Sequence, residues 1–395
     1  MNILFINHNV IGEGTYLRCY QIAKYLINHN HNVTILTTSK RSRLRSIHTK
    51  EDRIEIIQFP DLFSNKLRNG ICPWNTFKRI YYLRNKRFDV IHAFDTRPGV
   101  IFPGLFYKFK YKVPLIIDWA DWWGRGGTIR ERSGNLFALT IGKIETFFEE
   151  YFRKCADFST TICTALKNRL IQMGYNEAKI MLLPQGTDFS KIKQLDKYYC
   201  RKILNVDLFM PIIGHLGTLF KKDAMLLFDS MEKAKKKIRN IKLFLIGRHK
   251  LKLDNHDYKD DFLLETGEIE AEKIPIYLSA CDVLVLPMEK NIANNGRWPS
   301  KINDYLASGR PIVSTPISDI KLIFEKYKIG ILAEDNSTDF SNAIVKLIGD
   351  KAQQIYLGEK GMKYAQQELN WYILVDDLNK FYLRALGSKD TVSLY

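Results

Sequence analysis

Long apolar runs are missing from this chain of 395 residues. The longest segment nearly free of charge, Gly99–Tyr107, is roughly half of what a membrane-spanning helix needs, which excludes such a helix. The opening Met1–Asn9 has no basic stretch ahead of its short apolar run Ile3–Ile6, and reads as a first β-strand rather than a secretion signal. Metal motifs are missing as well: there is no Asp-x-Asp pair, no His-Glu-x-x-His and no Cys/His cluster, so neither a metal nor another cofactor is expected. The six cysteines (Cys19, Cys72, Cys155, Cys163, Cys200 and Cys281) include no Cys-x-x-Cys pair, so free thiols in a reducing compartment are expected. Glycine and proline, at 23 and 12, are not in excess, and fibrous or disordered classes drop out.

Acidic residues are scarce relative to basic ones. The chain carries 60 Lys/Arg against 43 Asp/Glu, a formal charge of +17. Residues 1–185 hold 28 of the bases and only 15 of the acids, so the imbalance belongs to the first half. Such a half suits an anionic partner, whether membrane surface, phosphorylated acceptor or nucleic acid. Scattered lysines that merely solvate the surface are the plainer alternative.

The length calls for two domains. Short β-branched runs (Asn2–Ile6, Val33–Thr37, Ile54–Ile57, Val90–Ala93, Leu115–Asp118, Ser159–Ile162, Ile180–Leu183) alternate with segments of helical period such as Tyr16–Leu26 and Gly142–Arg153. After Leu183-Pro184 the scheme repeats, with strands at Pro211–Gly217, Lys242–Gly247, Phe262–Glu265, Asp282–Leu286 and Pro311–Ser314. Alternation of this kind predicts βαβ units and parallel sheets, with ligands at the carboxyl edges of the strands. The expected division is 1–185, 186–370 and a terminal segment 371–395. In that last segment Tyr372, Val375, Leu378 and Tyr382 form a helical stripe that must pack on something.

The densest motif is Pro299-Ser-Lys-Ile-Asn-Asp-Tyr-Leu-Ala-Ser-Gly-Arg-Pro-Ile-Val313. Pro299 suits a helix start, Gly309 a helix end, and Lys301 and Asp304 share one helical face. A carboxylate there can accept from a ribose diol, and the lysine with the helix start can meet a diphosphate. A simple surface pair between Lys301 and Asp304 is the alternative. Together with Cys155-Ala-Asp-Phe, Leu183-Pro-Gln-Gly-Thr-Asp188, Gly217…Lys222, Leu245-Ile-Gly247 and Ala280-Cys-Asp-Val-Leu-Val-Leu-Pro287, this run resembles the retaining glycosyltransferases of family 4 over nearly the whole chain. Asp304 stands where that family has Glu, and Gln185 where it has Asn.

The resemblance implies the α/β GT-B fold, in which two Rossmann-like domains face a central cleft, with the final helix crossing back to the first domain. It implies a nucleotide diphosphate-sugar donor bound by the second domain: Asp304 on the ribose, Lys222 on the diphosphate, Gly267 to Ile269 around the base. In two places the pattern departs: Thr218 replaces an arginine beside Gly217, and Gly296 replaces the acid that touches the transferred sugar. Asn294, Asn295 and Arg297 are the nearby residues able to take over, and Lys301 joins Lys222 and Arg297 against the diphosphate.

In the first half, Asn9-Val-Ile-Gly-Glu-Gly-Thr15 is either an ordinary strand–helix turn or a place where backbone N–H near Gly14 approaches phosphate or sugar. Leu115-Ile-Ile-Asp-Trp-Ala-Asp-Trp-Trp-Gly-Arg-Gly-Gly127 runs an apolar strand into Asp118, Asp121, Trp119, Trp122, Trp123 and Arg125. Rings that stack on a sugar face beside carboxylates that accept from hydroxyls suit carbohydrate, and aromatic packing is the alternative. The segment aligns with the family's acceptor-side loop, so Asp121 or Asp118 is expected to orient the acceptor. His8 and His92 lie at strand ends and could line the same site or be structural.

Phe102, Phe106 and Phe109, interleaved with Lys108, Lys110 and Lys112, and the basic loop Lys40–Arg45 could meet an anionic bilayer, unless the Phe stripe faces the core. The expected activity is retaining transfer to a glycan or lipid-linked acceptor in cell-surface polysaccharide synthesis, in the cytoplasm or at the inner membrane face. A binding protein of the same fold with weakened turnover is the second reading. A dinucleotide oxidoreductase lacks its G-x-G-x-x-G, and no nucleic-acid module is present.

Overall fold

The computed structural model describes residues 1–63, 70–127, 136–248 and 262–387. The chain divides into two compact units, one of Met1–Pro184 with Trp371–Tyr395, the other of Gln185–Asn370. Residues 388–395 of the expected terminal segment lie outside the described residues.

Among the described residues, the first unit is built on eight strands: β1 (Asn2–Asn7), β2 (Asn32–Thr38), β3 (Ile47–Glu51), β4 (Ile54–Phe59), β5 (Val90–Phe94), β6 (Leu115–Trp119), β7 (Phe158–Thr161) and β8 (Ile180–Leu182). Their order is β3-β4-β2-β1-β5-β6-β7-β8, parallel throughout except for the antiparallel β3–β4 pair. β1 shows why both faces are covered. Ile3 and Phe5 enter one apolar cluster and Leu4 and Ile6 another, because successive side chains point to opposite faces. The first cluster is closed by Cys19, Ile22 and Leu26 of helix Thr15–Leu26 and by the helix Trp371–Gly387, which buries Trp371, Leu374, Val375, Leu378, Phe381, Tyr382 and Ala385. Of the stripe seen in the sequence, Val375, Leu378 and Tyr382 thus pack on the first unit, while Tyr372 stays exposed.

The described residues of the second unit form six strands: β9 (Ile212–Leu216), β10 (Lys242–Ile246), β11 (Leu263–Glu265), β12 (Val283–Leu286), β13 (Ile312–Ser314) and β14 (Ile331–Leu332). The order β11-β10-β9-β12-β13-β14, with every pair parallel, is the doubly wound arrangement. Strand order reverses between β1 and β5 in the first sheet and between β9 and β12 in the second. Ligands of such sheets bind at the carboxyl ends beside the reversal. All six cysteines are free, and all but Cys155 are buried. Among the described residues no helix is long and apolar enough to cross a membrane.

Candidate functional site

In the second unit the carboxyl edge at the strand reversal is stripped of side chains. Gly217, Gly247 and Gly267 follow β9, β10 and β11 with φ of 73°, 88° and 65°, the left-handed region that glycine enters without steric cost. Gly217 N donates to Ile246 O at 2.7 Å, Gly247 N to Thr266 Oγ1 at 2.8 Å, and Gly247 bridges to Gly267. Among the described residues, a Cβ built on Gly217 or Gly267 would meet nothing within 4 Å, which leaves the backbone open at both. Ile269, two residues on, is half-buried and Thr218 is exposed.

The helix Lys301–Ala307 stands over the same edge. Tyr305 on its buried side accepts from Leu216 N at 2.8 Å and donates to Val285 O at 3.3 Å, tying the helix to both strands at the reversal. Lys301 Nζ lies 3.1 Å from Thr218 O and 3.1 Å from His215 Nε2. His215 Nδ1 is 3.1 Å from Val285 O, a pure acceptor, so Nδ1 carries the proton and Nε2 accepts from the lysine. The ammonium is thus turned to the strand edge and not to Asp304. Burial pushes Lys301 down to about 8. Asp304 is partly buried, and desolvation, then the nearby Asp188 charge, pushes its carboxyl up to about 7.

Lys222, exposed, forms an ion pair with Glu289. Asp223 beside it accepts from Glu289 N at 2.9 Å, and burial raises its carboxyl to about 6. Arg297 donates to Asn294 Oδ1 at 3.0 Å, Asn295 Oδ1 accepts from Ser318 N at 3.0 Å, and Gly296 ends the short helix Ile292–Asn295. Glycines, Thr218, Lys222 and Lys301 come together through Asp223, Glu289 and His215, three groups not singled out in the sequence. No motif marks them: His215 lies within β9, Glu289 three residues past β12, and Asp223 beside Lys222.

In the first unit, several residues expected on the acceptor side form its interior. Asp118, 1% exposed, takes a two-point ion pair from Arg18 at 3.0 and 3.0 Å and a hydrogen bond from Thr160. Burial acts to raise its pKa, but Arg18, these hydrogen bonds and His92 outweigh it and hold the carboxyl below its usual range. His92 is fully buried, with Nε2 3.1 Å from Thr160 Oγ1 and Nδ1 2.7 Å from Tyr382 Oη. The Thr160 hydroxyl gives its proton to Asp118, so it accepts from Nε2–H, and Tyr382 donates to Nδ1. Burial lowers His92 to about 4, which leaves it neutral. Trp119 is 1% exposed beneath Arg153. The expectation of direct sugar contact therefore gives way, for Asp118, Trp119 and His92, to a framework under the surface.

What remains at the surface is the loop after β6. Asp121, Trp122 and Trp123 are half-buried and Arg125 is exposed. Glu149, not singled out in the sequence, fixes this loop by accepting from Trp119 Nε1 (3.0 Å), Trp123 N (3.0 Å) and Gly124 N (2.6 Å). Burial raises it to about 7. Arg97 lies over the Trp123 ring at 5.5 Å and its Nε is 3.3 Å from Asp95, a non-glycine residue at φ 103°. His8, buried and lowered to about 3 by desolvation, then by Arg97, lies 3.6 Å from the same carboxylate. Gly14, at φ 54°, caps helix Thr15–Leu26, and Asn9 Oδ1 closes the turn by accepting from Thr15 N at 3.1 Å.

Two doubly wound units with glycine-marked or strained carboxyl edges define a protein of the two-Rossmann class. Two family models match, Glycosyltransferase Family 4 over residues 14–191 and Glycosyl transferases group 1 over residues 210–350. An uncharacterised glycosyltransferase of Methanocaldococcus jannaschii is 23% identical over 342 residues, covering 83% of this chain and 81% of its own length. Sucrose-phosphate synthase from Thermosynechococcus elongatus superposes with a TM-score of 0.76 at 15% identity, covering 98% of this chain and 99% of that one. Anabaena HepE, in complex with UDP and glucose, gives 0.69 at 16% identity over 96% and 98%. The chain belongs to the family 4 glycosyltransferases: it has the GT-B fold and is an enzyme that transfers glycosyl groups.

Proposed function

We propose that this glycosyltransferase takes its sugar from a nucleotide diphosphate-sugar held by the second unit and passes it, with retention of configuration, to a glycan or lipid-linked acceptor recognised by the first. The observation that carries the reading is the bare edge at Gly217, Gly247 and Gly267 with Lys301 and Lys222 beside it. A diphosphate needs close backbone approach and positive charge, and this edge offers both. Lys222 exchanges Glu289 for the diphosphate, and Asp304 accepts from the ribose hydroxyls, which favours its ionised form. Ile269 packs on the base, while Arg297, Asn295 and the Gly296 turn stand in for the missing acid at the sugar. The structure of HepE with UDP and glucose makes uridine the first base to try.

In the transfer step, the bond from the sugar's anomeric carbon to the diphosphate oxygen breaks and its electron pair leaves with the diphosphate. The acceptor oxygen bonds to the same carbon from the same face. Its proton passes to the departing phosphate oxygen, so no protein nucleophile is required. Asp121, Trp122, Trp123 and Arg125 hold the acceptor on the loop that Glu149 anchors. The basic first half supports an acceptor bearing phosphate.

Thermal unfolding with UDP-, GDP-, ADP- and dTDP-sugars in EDTA tests the donor site. One nucleotide should stabilise the protein by about 2.7 kcal/mol at a hundredfold excess over Kd. Asp304→Ala and Lys222→Ala should each abolish the shift. No shift from any of the four, with or without Mg²⁺, overturns the assignment.

A further inference from the structure

We propose that the helices Pro98–Tyr111 and Leu136–Arg153 of the first unit form a docking face for an anionic lipid bilayer. On the first helix, Val100, Ile101 and Tyr107 turn into the apolar core. Phe102 and Phe109 point elsewhere and are 39% and 65% exposed, so the Phe stripe does not serve the interior at those positions. On the second helix Phe148 and Phe152 pack partly buried against the core, while Ile144, Phe147 and Tyr151 are 54%, 52% and 55% exposed.

Phe102, Phe147, Phe148, Tyr151 and Phe152 form one connected ribbon. Phe102 meets Phe148 and Phe152 edge-on at 5.9 and 5.5 Å. Phe147 meets the same two rings at 5.9 and 5.9 Å and stacks on Tyr151 at 5.1 Å. A soluble surface tolerates single exposed rings, but a contiguous aromatic patch marks a contact surface.

Charge selects the occupant. Lys143 and Lys154 are exposed, and with Arg125 they rim a groove of about 640 Å³ floored by Phe147, Tyr151 and Met173. The acid in the groove, Glu150, is already held by Arg169 at 3.0 Å and Arg125 at 3.7 Å. Lys110, over the Phe106 ring at 5.6 Å, and Lys112 are exposed on the neighbouring helix. Of the remaining acids of Leu136–Arg153, Glu149 is buried under the Trp loop and Glu145 is half-buried. Aromatics ringed by cations fit the headgroup layer of an anionic leaflet, where rings sit at the interface and each Lys or Arg adds roughly fivefold in affinity. A second copy of the chain would bring these same cations against each other.

The test is flotation of the whole protein with vesicles of phosphatidylcholine alone or mixed with phosphatidylglycerol, at low and high salt. Capture by the mixed vesicles only, weakened by salt, is expected. Lys143→Gln with Lys154→Gln should lower it on the order of twentyfold, and Phe147→Ser with Tyr151→Ser at least about tenfold. Both variants should keep the wild-type circular dichroism and unfolding temperature. No capture by phosphatidylglycerol vesicles, or capture unchanged in both variants, overturns the proposal. So does a dimer that Phe147→Ser with Tyr151→Ser converts to monomer while vesicle capture stays as in the wild type.

Discussion

His92 and His215 both sit on strands near a sheet's carboxyl edge, yet their hydrogen bonds give them different tasks. His92 spends both nitrogens on Thr160 and Tyr382 inside the first unit. His215 keeps Nε2 as an acceptor for Lys301 and so aims a cation at the glycine edge. Burial brings Asp304 up to about 7 and that cation down to about 8. An Asp304 carboxyl at about 7 must ionise to accept from a ribose, so donor affinity should rise as pH increases through 7. A Lys301 ammonium at about 8 loses its charge above that value, so affinity should fall again as pH rises further. Calorimetric titration of a nucleotide-sugar across this range should give a bell, and Asp304→Asn should remove the acid limb alone. An acid limb that survives in Asp304→Asn would assign the titration to another group.

At the scale of elements, the glycine edge makes its own prediction. Among the described residues nothing lies within 4 Å of a Cβ at Gly217 or Gly267, so alanine there meets the backbone penalty of a left-handed φ. That penalty is about 1–2 kcal/mol. Gly217→Ala should therefore lower stability by this modest amount in urea unfolding while weakening donor binding more than tenfold. Loss of stability without loss of binding would make the glycine a turn and nothing more. The strands of both sheets were legible in sequence because their apolar runs end at Gly or polar residues. The exceptions are β3, Ile47–Glu51, which is exposed along its whole length and has no apolar pattern to read, and β14, Ile331–Leu332, whose two residues are too few to show one. Asp118 and Trp119 misled for a related reason. When helices cover both faces of a parallel sheet, a strand's sequence does not say whether its last residues point inward or out. The partner that settles it for Asp118, Arg18, is 100 residues away in the chain. Glu149 was hidden in an ordinary amphipathic helix. Lys301, Asp304, Gly217 and Gly267 stood out as candidates because each lies in a short local motif.

The whole molecule depends on its last helix. Helix Trp371–Gly387 buries seven side chains in the first unit, among them Trp371, Phe381 and Tyr382. At about 1.5–3 kcal/mol for each large one, their loss is comparable to the whole ~5–15 kcal/mol by which a domain is stable. A chain ending at Asn370 should thus keep a folded second unit and lose the first. Two-phase proteolysis, with fragments from 185–370 surviving and those from 1–184 digested, would check this. Survival of both sets would show the helix to be dispensable.

That same helix has a consequence for how the protein is made. A ribosome delivers residues in order, so the unit that begins first is the one finished last. Residues 1–184 leave the tunnel with one face of their sheet only partly covered and wait through the synthesis of 186 further residues before Trp371 emerges. The second unit is continuous and can close in that interval. For this chain, the segment most in need of a chaperone during translation is the one translated earliest.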